Sequence, residues 1–406
     1  MLTLVTTNPA KYAPFSRQLE RWRIGLAPPG GALPEMQSVN FAETLAAKAR
    51  AAAAMFGRPV LVDDAGLVLE AYRPFPGPLT SSVVPHLGPA GLRRLLSGVS
   101  ARAWMECHLG CWVNGALRRW TGTVEGRLDF SRPPRDPRMV LSDLFLPEPA
   151  LEGESELPHR ARALAALEAG VFDLHLEAAP EAAPDETGCA GQPRYACPFC
   201  AEFEADGLSL FSELMGDRLA SRIVYEDEDF VVMPPLGEFI EGGLLLLTRE
   251  HLLSLAHLRP ALFERLEGLL RAISGALVER WGVPPLVFEH GPAPQRGKGV
   301  CCVDHAHLNI FPARVQLHPQ LGGRMNLRVG SLAELARLRR AEFGYLLAQE
   351  NDGTRRAYDG QDVPTQLVRR MVTAGLGLPE RWHWRDYLGA NELLATYNAL
   401  KGRIHL

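Results

Sequence analysis

Two short stretches of the chain carry side chains that could do chemistry on phosphorus or bind a metal ion. In the second half, CVDHAHLNIFP (residues 302–312) places His305, His307 and Asn309 at alternate positions, with apolar residues between them. Period-two alternation predicts a strand that presents these polar side chains on one face. A neutral imidazole held through its other nitrogen can attack phosphorus and form a phosphoramidate. His307 is therefore a candidate nucleophile, although a lone imidazole on a strand is more often a hydrogen-bonded core residue.

A pair of cysteines precedes this stretch in the same half of the chain. Cys197 and Cys200 have the two-residue spacing with which a turn presents two thiolates to one tetrahedral ion. Such a pair supplies half of a zinc site, and His251 and His305 are the candidates for the other half. The seven cysteines are odd in number and too sparse for a disulfide framework, which favours a reduced compartment. The alternative is a pair of buried thiols without a metal.

The first half contains a group of carboxylates. Asp63 and Asp64 end an apolar run that predicts a buried strand, and Glu43 lies on a preceding predicted helix. Carboxylates in this position can hold Mg²⁺ through a few oxygens while phosphates complete the coordination shell. Acidic strand ends are also common as solvated turns, so the residues alone leave both interpretations open.

The elements that must position these residues predict a fold of two domains, of class α/β and α+β. In the first ~150 residues, LTLVTT and PVLVDDAGL predict strands, FAETLAAKARAAAAMFG predicts a helix, and Asn114-Gly115 predicts a hairpin turn. Residues 176–194 have linker composition. The expected boundaries are 1–175 for the first domain and 195–406 for the second.

The second domain is predicted to contain strands RIVYEDEDFVVMP, GGLLLLT and LVFEHG, and a helix from about Pro260 to Trp281. A further segment, from about residue 330, is predicted to carry a helix AELARLRRAEFGYLLAQE, a turn NDGTRR and a terminal helical region.

Composition restricts the class of partner. With 43 basic and 47 acidic residues, the net charge of -4 gives no electrostatic case for nucleic acid, so small molecules are the expected ligands. No stretch approaches the ~20 apolar residues of a membrane span, and the N-terminus lacks a signal-peptide layout. We therefore expect a cytoplasmic protein without a membrane partner. A homodimer is left open.

The motifs of the second half, taken in order, resemble the histidine-triad superfamily over roughly residues 195–315. They are CPFC, RIVYEDEDFVVMP, GGLLLLTREHLLSL, FEHG and DHAHLNIFP. The resemblance is greatest to the branch of galactose-1-phosphate uridylyltransferase and the diadenosine-polyphosphate phosphorylases. The tail PTQLVRRMVTAGLGLPERWHWR looks like the C-terminal extension of proteins related to that branch.

This resemblance implies that His307 takes a nucleoside monophosphate group covalently. It also implies a structural zinc held by Cys197, Cys200, His251 and His305, because four protein ligands leave no open position. The implied nucleotide contacts are Glu289, Gly291 and Lys298 in the 289–302 loop, which would line the phosphates, and Gln366 in the tail.

Asn309 departs from the third triad position, where the family's hydrolases usually have His and its transferases and phosphorylases have Gln. A neutral amide can donate a hydrogen bond to an α-phosphate oxygen but cannot act as a proton donor at neutral pH. Asn309 therefore favours transfer to an acceptor other than water over hydrolysis.

The first half is similar to the inosine-triphosphate pyrophosphatase family over about residues 1–172. The matching motifs are TTNPAK, FAETLAAKA, VDDAGL, FPGP and HRARAL. The resemblance implies Mg²⁺-dependent cleavage of non-canonical purine nucleoside triphosphates. The implied site residues are Asn8 and Lys11 for the triphosphate, Glu43 with Asp63 or Asp64 for Mg²⁺ and the attacking water, and His159 with Arg160 for the base.

The residues that would contact the nucleobase match the family less completely than the residues that would bind the metal. LSDLFLP keeps Asp143 without the family's preceding aromatic residue and following proline, and no basic residue follows FPGP. We therefore expect a bifunctional nucleotide-processing enzyme with Zn²⁺ in one domain and Mg²⁺ in the other. One alternative is a first domain that is a silent nucleotide-binding or dimerisation module. Another is a pair of domains that only sense a dinucleotide.

Overall fold

The structure is a computed structural model that describes residues 2–6, 16–28, 33, 36–131, 140–148, 158–179, 197–203, 209–293 and 303–406. The chain forms two compact units, Met1–Ala178 and Ala179–Leu406. The predicted class, mixed α/β and α+β in two units, is confirmed. No helix in these ranges is both long and apolar enough to span a membrane. The predicted site residues Asn8, Lys11 and Lys298, and most of the predicted linker, lie outside the described residues.

The described part of the first unit is a six-stranded sheet with helices packed against it. The strands are β1 (Leu2–Val5), β2 (Ile24–Ala27), β3 (Leu61–Leu69), β4 (Arg102–Val113), β5 (Ala116–Leu128) and β6 (Phe145–Pro147), in the order β2-β1-β3-β4-β5-β6. The helices are α1 (Ser16–Arg21), α2 (Phe41–Phe56), α3 (Thr80–Leu95), α4 (Val140–Leu144), α5 (Pro158–Glu168) and α6 (Val171–Ala178). β1 is parallel to β2 and β3, and the other pairs are antiparallel.

The β4–β5 hairpin turns at Asn114-Gly115, as predicted, with both residues at positive φ, 51° and 78°. The prediction that Asp63 and Asp64 end their strand is wrong. β3 continues to Leu69 because its apolar second half stays paired with β4. The two aspartates therefore lie in mid-strand and point to opposite faces of the sheet.

Small residues allow helices to approach this sheet closely. A Cβ at Gly122 of β5 would lie 2.0 Å from the carbonyl oxygen of His159, so α5 rests directly on the strand. A Cβ at Gly110 of β4 would meet the side chain of Leu45 in α2 at 2.6 Å. These two glycines fix the distance between the sheet and the helices that carry the predicted site residues.

The described part of the second unit is built on an antiparallel eight-stranded sheet. Its strands are β7 (Tyr225–Glu226), β8 (Phe230–Met233), β9 (Leu244–Thr248), β10 (Leu286–Gly291), β11 (His307–Phe311), β12 (Asn326–Arg328), β13 (Tyr345–Gln349) and β14 (Arg355–Asp359), in the order β12-β14-β13-β10-β11-β9-β8-β7. The α-helices are α7 (Pro198–Phe203), α8 (Leu210–Met215), α9 (Phe263–Trp281), α10 (Leu367–Gly375) and α11 (Ala390–Leu400). Short 3₁₀ helices cover Leu255–His257, Pro260–Leu262, Leu332–Arg340 and Pro379–Arg381.

Two predictions in this unit are wrong. Residues 333–350 do not form one helix, because a 3₁₀ helix ends at Arg340 and Tyr345–Gln349 is a strand buried throughout its length. In sequence, the short apolar run of a strand that is buried between two neighbouring strands cannot be distinguished from a buried helical segment. His305 does not share a strand face with His307, because β11 begins only at His307 and His305 lies in the bend before it.

Candidate functional sites

Four metal-binding side chains converge in the second unit. Cys197 precedes α7 and Cys200 lies in its first turn, while His251 follows β9 and His305 precedes β11. All four side chains are buried. In the part of the chain that the structure describes, they form the one group of at least three His, Cys, Asp or Glu residues whose ligand atoms lie within 4.8 Å of one another. The sequence predicted these four residues as one site, and the fold brings them together.

The distances within this group fit one tetrahedral ion. The Sγ of Cys197 lies 3.5 Å from Nδ1 of His305, and the Sγ of Cys200 lies 3.3 Å from Nδ1 of His251. The two Nδ1 atoms are 3.2 Å apart. Zn–S bonds of about 2.3 Å and Zn–N bonds of about 2.0 Å require separations of roughly 3.3–3.8 Å between ligands. The donor set and its spacing therefore fit Zn²⁺.

Groups around the four ligands support metal binding. Nε2 of His305 lies 2.7 Å from the carbonyl oxygen of Thr248, which fixes the ring with Nδ1 toward the group. The pKa of the Cys197 thiol is lowered, chiefly by the hydrogen bond from Cys200, and this favours the thiolate that zinc requires.

His307, the predicted nucleophile, is held by a hydrogen bond to His305, which is one of the four residues of the metal group. Its Nδ1 lies 2.6 Å from the carbonyl oxygen of His305. An Nδ1–H that donates to this carbonyl leaves Nε2 as the unprotonated nitrogen. Burial lowers the pKa of the imidazole, which also favours the neutral form. The ring thus has the tautomer and charge of a nucleophile.

A cavity of 170 Å³ opens next to His307, and both His307 and Asn309 line it. This volume is on the order of ten water-sized volumes, enough for a ring-sized group. The aromatic residues of the described lining are Phe199, Phe211, Phe288 and Trp384. Its polar residues are Glu202, Arg222, His290, His307, Asn309, Gln366 and Arg369.

The predicted nucleotide contacts separate into two groups. Gln366 lines the cavity, whereas Glu289 and Gly291 do not, since Phe288 and His290 are the β10 residues that face it. The carboxylate of Glu289 accepts hydrogen bonds from the Tyr345 hydroxyl and the Leu255 amide. Its environment is that of a buried structural carboxyl group.

In the first unit, the carboxylates of the predicted Mg²⁺ site are not equivalent. Asp64 accepts a hydrogen bond of 3.1 Å from Thr44 in α2, and burial raises its pKa although Lys48 opposes the effect. Glu43, in the exposed first turn of α2, accepts hydrogen bonds from Ser38 and Asn40. The carboxylates of Asp64 in β3 and Glu43 in the first turn of α2 are oxygen donors, the ligand type that Mg²⁺ prefers.

Asp63 points to the other face of the sheet, where its Oδ2 lies 3.2 Å from Nη1 of Arg160 in α5. Both side chains are largely buried. The Nζ of Lys48 donates to the carbonyl oxygen of Asp63 over 2.7 Å. His159, predicted with Arg160 as a base contact, is buried at 5% exposure. The guanidinium of Arg160 is therefore engaged by Asp63 in the structure.

A buried polar cluster beside Asp64 did not emerge from the sequence. His108 of β4, which pairs with Asp64 in register, stacks on Phe41 with ring centroids 4.2 Å apart. Its ring nitrogens lie 2.9 Å from a Glu106 oxygen and 3.0 Å from the Thr121 hydroxyl. The alternation of polar residues at 106 and 108 was the available signal. This cluster ties the start of α2 to the sheet.

A buried ion pair also borders the cavity of the second unit without having been predicted. The guanidinium of Arg222 donates two hydrogen bonds to Glu202, of 2.8 and 2.7 Å, and one to the carbonyl oxygen of Pro234. Arg222 is the first residue of the RIVYEDEDFVVMP motif, but its pairing with Glu202 was not predicted, because the two residues lie 20 positions apart in separate elements.

Comparison with known proteins finds one family match and similar solved structures of two kinds. The sequence profile of the Ham1 family matches residues 2–169. The dITP/XTP pyrophosphatase of Methanopyrus kandleri is 31% identical over 169 residues, which cover 39% of this chain and 89% of that protein. The Staphylococcus aureus Ham1 protein structure covers 43% of this chain and all of its own, with 19% identity and a TM-score of 0.36. A zinc-bound histidine triad family protein from Mycobacterium smegmatis covers 37% of this chain and 94% of its own, with 21% identity and a TM-score of 0.22.

Proposed function

The chain belongs to the Ham1 family through residues 2–169, and on that premise we propose that its first unit is a Mg²⁺-dependent nucleoside-triphosphate pyrophosphatase. The observation that carries this proposal is the sequence match to proteins named dITP/XTP pyrophosphatases. The substrates proposed are the corresponding purine nucleoside triphosphates, and the products are a nucleoside monophosphate and pyrophosphate.

The mechanism assigns the metal to Asp64 and Glu43. Bound Mg²⁺ would neutralise charge that develops on the leaving pyrophosphate. Water attacks the α-phosphorus, the bond from that phosphorus to the bridging oxygen breaks, and the water proton is released. Lys48 holds the Asp63 carbonyl, and Thr44 holds the Asp64 carboxylate, so that both aspartates keep fixed positions.

Pyrophosphate release by the full-length protein with Mg²⁺ and dITP or XTP tests this proposal. Asp64→Asn should abolish release, whereas Asp129→Asn, a matched change at a turn carboxylate that accepts hydrogen bonds from Ser131, should not. If the folded wild type releases no pyrophosphate from either nucleotide, the first unit is instead a silent binding or dimerisation module. The ion pair that engages Arg160 is the observation that favours this second candidate.

For the second unit we propose a histidine-triad nucleotidyl transferase or hydrolase that acts through His307. The supporting observation is the position of His307, whose Nδ1 is bound by the His305 carbonyl while the ring lines the cavity. Zn²⁺ on Cys197, Cys200, His251 and His305 would fix the bend before β11. The metal would have a structural role, because the four ligands complete its coordination.

The proposed reaction has two steps that balance. Nε2 of His307 forms a bond to the α-phosphorus while the bond to the leaving phosphate or pyrophosphate oxygen breaks. An acceptor oxygen then attacks the same phosphorus, and the P–N bond breaks to restore the neutral imidazole. Asn309 donates an N–H to a phosphate oxygen. Since the amide supplies no proton, the proposal favours phosphate-type acceptors over water.

Mass spectrometry of the intact protein after incubation with a nucleotide panel tests this second activity. A nucleotidyl adduct on His307 is expected, and it should be absent from His307→Ala but present in His405→Ala, a matched change at an exposed residue of the same unit. His307→Ala should retain pyrophosphate release, and Asp64→Ala should retain adduct formation. Loss of both activities in either variant would contradict independent sites.

A further inference from the structure

One wall of the cavity beside His307 comes from the C-terminal part of the chain. Gln366, Arg369 and Trp384, which we call the C-terminal wall, all line it. Gln366 immediately precedes α10, and Arg369 lies in the first turn of that helix. Trp384 follows the 3₁₀ helix Pro379–Arg381. Of these three residues, only Gln366 was predicted as a site residue from the sequence. The wall lies more than 50 residues beyond the strand that carries the nucleophile.

Trp384 lies against the backbone of Gly237, and the guanidinium of Arg385 lies 5.2 Å from the centre of its ring. A Cβ at Gly237 would lie 2.2 Å from the Cβ of Trp384, so only glycine allows this approach. Gly237 also has a φ of +76°, a conformation that favours glycine. The backbone of Trp384 is therefore fixed, and its indole is half-buried at the cavity.

Arg369 locks the same wall in place. Its Nε donates to the carbonyl oxygen of Trp382 over 3.0 Å, and its Nη2 donates to the carbonyl oxygen of Gly237. The guanidinium also lies 4.9 Å from the centre of the Phe239 ring. At 8% exposure, the side chain connects α10 to the segments on both sides of the Trp384 contact.

Gln366 has an unusual backbone and an unsatisfied side chain. It adopts φ 58° and ψ 21°, a left-handed conformation that costs a non-glycine residue energy. As the residue before α10, it makes no capping hydrogen bond. Its Oε1 is buried without a hydrogen-bond partner among the described residues. A strained glutamine with an amide to satisfy at the edge of a cavity indicates a ligand contact.

We propose that the C-terminal wall recognises the nucleobase, with Trp384 stacking on its face and the amide of Gln366 hydrogen-bonded to its edge. This inference rests on the proposed nucleotide chemistry of His307. Aromatic stacking suits any base because every base has a π face, whereas an amide distinguishes bases by their donors and acceptors. Trp384 therefore supplies affinity and Gln366 supplies selectivity. Both are specificity residues rather than catalytic ones.

Binding of nucleoside monophosphates, measured by isothermal titration calorimetry on the full-length protein, tests the role of Trp384. The probes are AMP, GMP, CMP and UMP, with ribose 5-phosphate as the matched probe that lacks a base. An Asp64→Asn background without added Mg²⁺ suppresses binding in the first unit. Trp384→Leu, which keeps the Cβ beside Gly237, should weaken the preferred nucleotide about tenfold and leave ribose 5-phosphate unchanged.

The matched control is Trp382→Leu. The Trp382 ring lies 3.8 Å from the guanidinium of Arg370 and is absent from the described cavity lining, so nucleotide affinity should not change. Equal weakening of nucleotide and ribose 5-phosphate by Trp384→Leu would assign Trp384 a merely structural role and overturn the inference. So would a wild type that binds no nucleotide more tightly than ribose 5-phosphate.

Two variants test Gln366. Gln366→Met keeps the side-chain length and removes the amide. Gln366→Gly also removes the amide but relieves the strain of the left-handed backbone, so the pair separates an effect on folding from an effect on base recognition. Both should reduce the preference among the four bases, by about tenfold for the preferred one, while Gln316→Met at an exposed site should not. An unchanged ranking of bases in both variants would overturn the role of Gln366. Failure of the His307 adduct would leave these binding results intact, so the two proposals can be distinguished.

Discussion

Asn309 is the residue on which the choice between transfer and hydrolysis depends. It lies on the central strand β11, opposite Phe288 of β10 and Leu245 of β9, and it lines the cavity beside His307. Its amide can donate a hydrogen bond but cannot protonate a leaving oxygen. A histidine at this position could do both, and the half-buried site beside the cavity has room for an imidazole.

We therefore expect Asn309→His to shift the fate of the His307 adduct toward water. General acid–base catalysis typically contributes about 10²-fold or more, so the ratio of hydrolysis to transfer onto phosphate should rise by roughly that factor. Product analysis after adduct formation, with and without inorganic phosphate, measures this ratio. Asn309→Gln is the control, since it lengthens the amide without adding an acid. A ratio that rises equally in both variants would show that size, not proton donation, is responsible.

The sequence was informative for residues whose chemistry depends on residue type. Cys197, Cys200, His251 and His305 were predicted as one set, and their ligand atoms do meet. Trp384 and the Glu202–Arg222 pair were not predicted. Their positions at the cavity depend on contacts between elements distant in the chain, and neither carries a spacing that specifies a partner.

The metal group connects α7 to the ends of two paired strands, β9 and β11. Cys200 lies in α7, His251 follows β9, and His305 precedes β11. Backbone hydrogen bonds join the segments that follow β9 and precede β11, whereas α7 meets these strands through side chains. A bound zinc ion would compensate the charge of the buried thiolates and join α7 to the two strands, so that metal binding contributes directly to folding.

Loss of one metal ligand should therefore destabilise the second unit selectively. We expect Cys200→Ser to lower its free energy of unfolding by about 4 kcal/mol or more, which corresponds to roughly 8–16 °C in Tm. Calorimetry should show the shift in one transition only, with loss of one equivalent of zinc by elemental analysis. Cys189→Ser, in the segment of linker composition, should change neither quantity. Full zinc content and an unshifted transition in Cys200→Ser would contradict the site.

Elements were predictable where the local pattern had one interpretation. The Asn114-Gly115 hairpin and the helix Phe263–Trp281 have specific turn residues or sufficient length, and both formed as predicted. Tyr345–Gln349 was mistaken for helix because its apolar run is short and its neighbours in the sheet, β10 and β14, are distant or downstream in sequence. The same limit applied to Asp63 and Asp64, since pairing with β4 determines where β3 ends.

Each of the two units contains a group whose pKa is shifted strongly by burial. The two shifts have opposite effects on how the stability of each unit depends on pH. In α6, burial lowers the pKa of His175 to about 4, while the hydrogen bond to the Trp22 carbonyl opposes the shift. In β10, burial raises the pKa of Glu289 to about 7. Each of these pKa changes corresponds to roughly 3 kcal/mol in the free energy of unfolding.

The signs of the two effects are opposite. Between pH 4 and 6.5 the unfolded state binds the proton at His175 that the folded state refuses, so the stability of the first unit rises with pH. Between pH 4.5 and 7 the folded state keeps the proton on Glu289 that the unfolded state has lost, so the stability of the second unit falls with pH.

Calorimetry between pH 4.5 and 6.5 tests this prediction by comparison with variants. The unfolding temperature of the first unit should rise with pH in the wild type relative to His175→Gln. The unfolding temperature of the second unit should fall with pH in the wild type relative to Glu289→Gln. Each variant serves as the control for the other unit, because its substitution should leave the other transition unchanged. Parallel pH profiles for the wild type and a variant would show that the residue concerned does not titrate as assigned.

The strand order of the second unit also has a consequence for biosynthesis. β10 pairs with β11 on one side and with β13 on the other, so its second edge stays open until residue 349 has left the ribosome. Within the described residues, the sheet of the first unit ends with β6 at Pro147. An unpaired apolar edge is a template for association with other chains. Premature termination between β11 and β13 would thus yield a folded first unit attached to an aggregation-prone remnant, and a chaperone that shields nascent strands would be needed mainly in that interval.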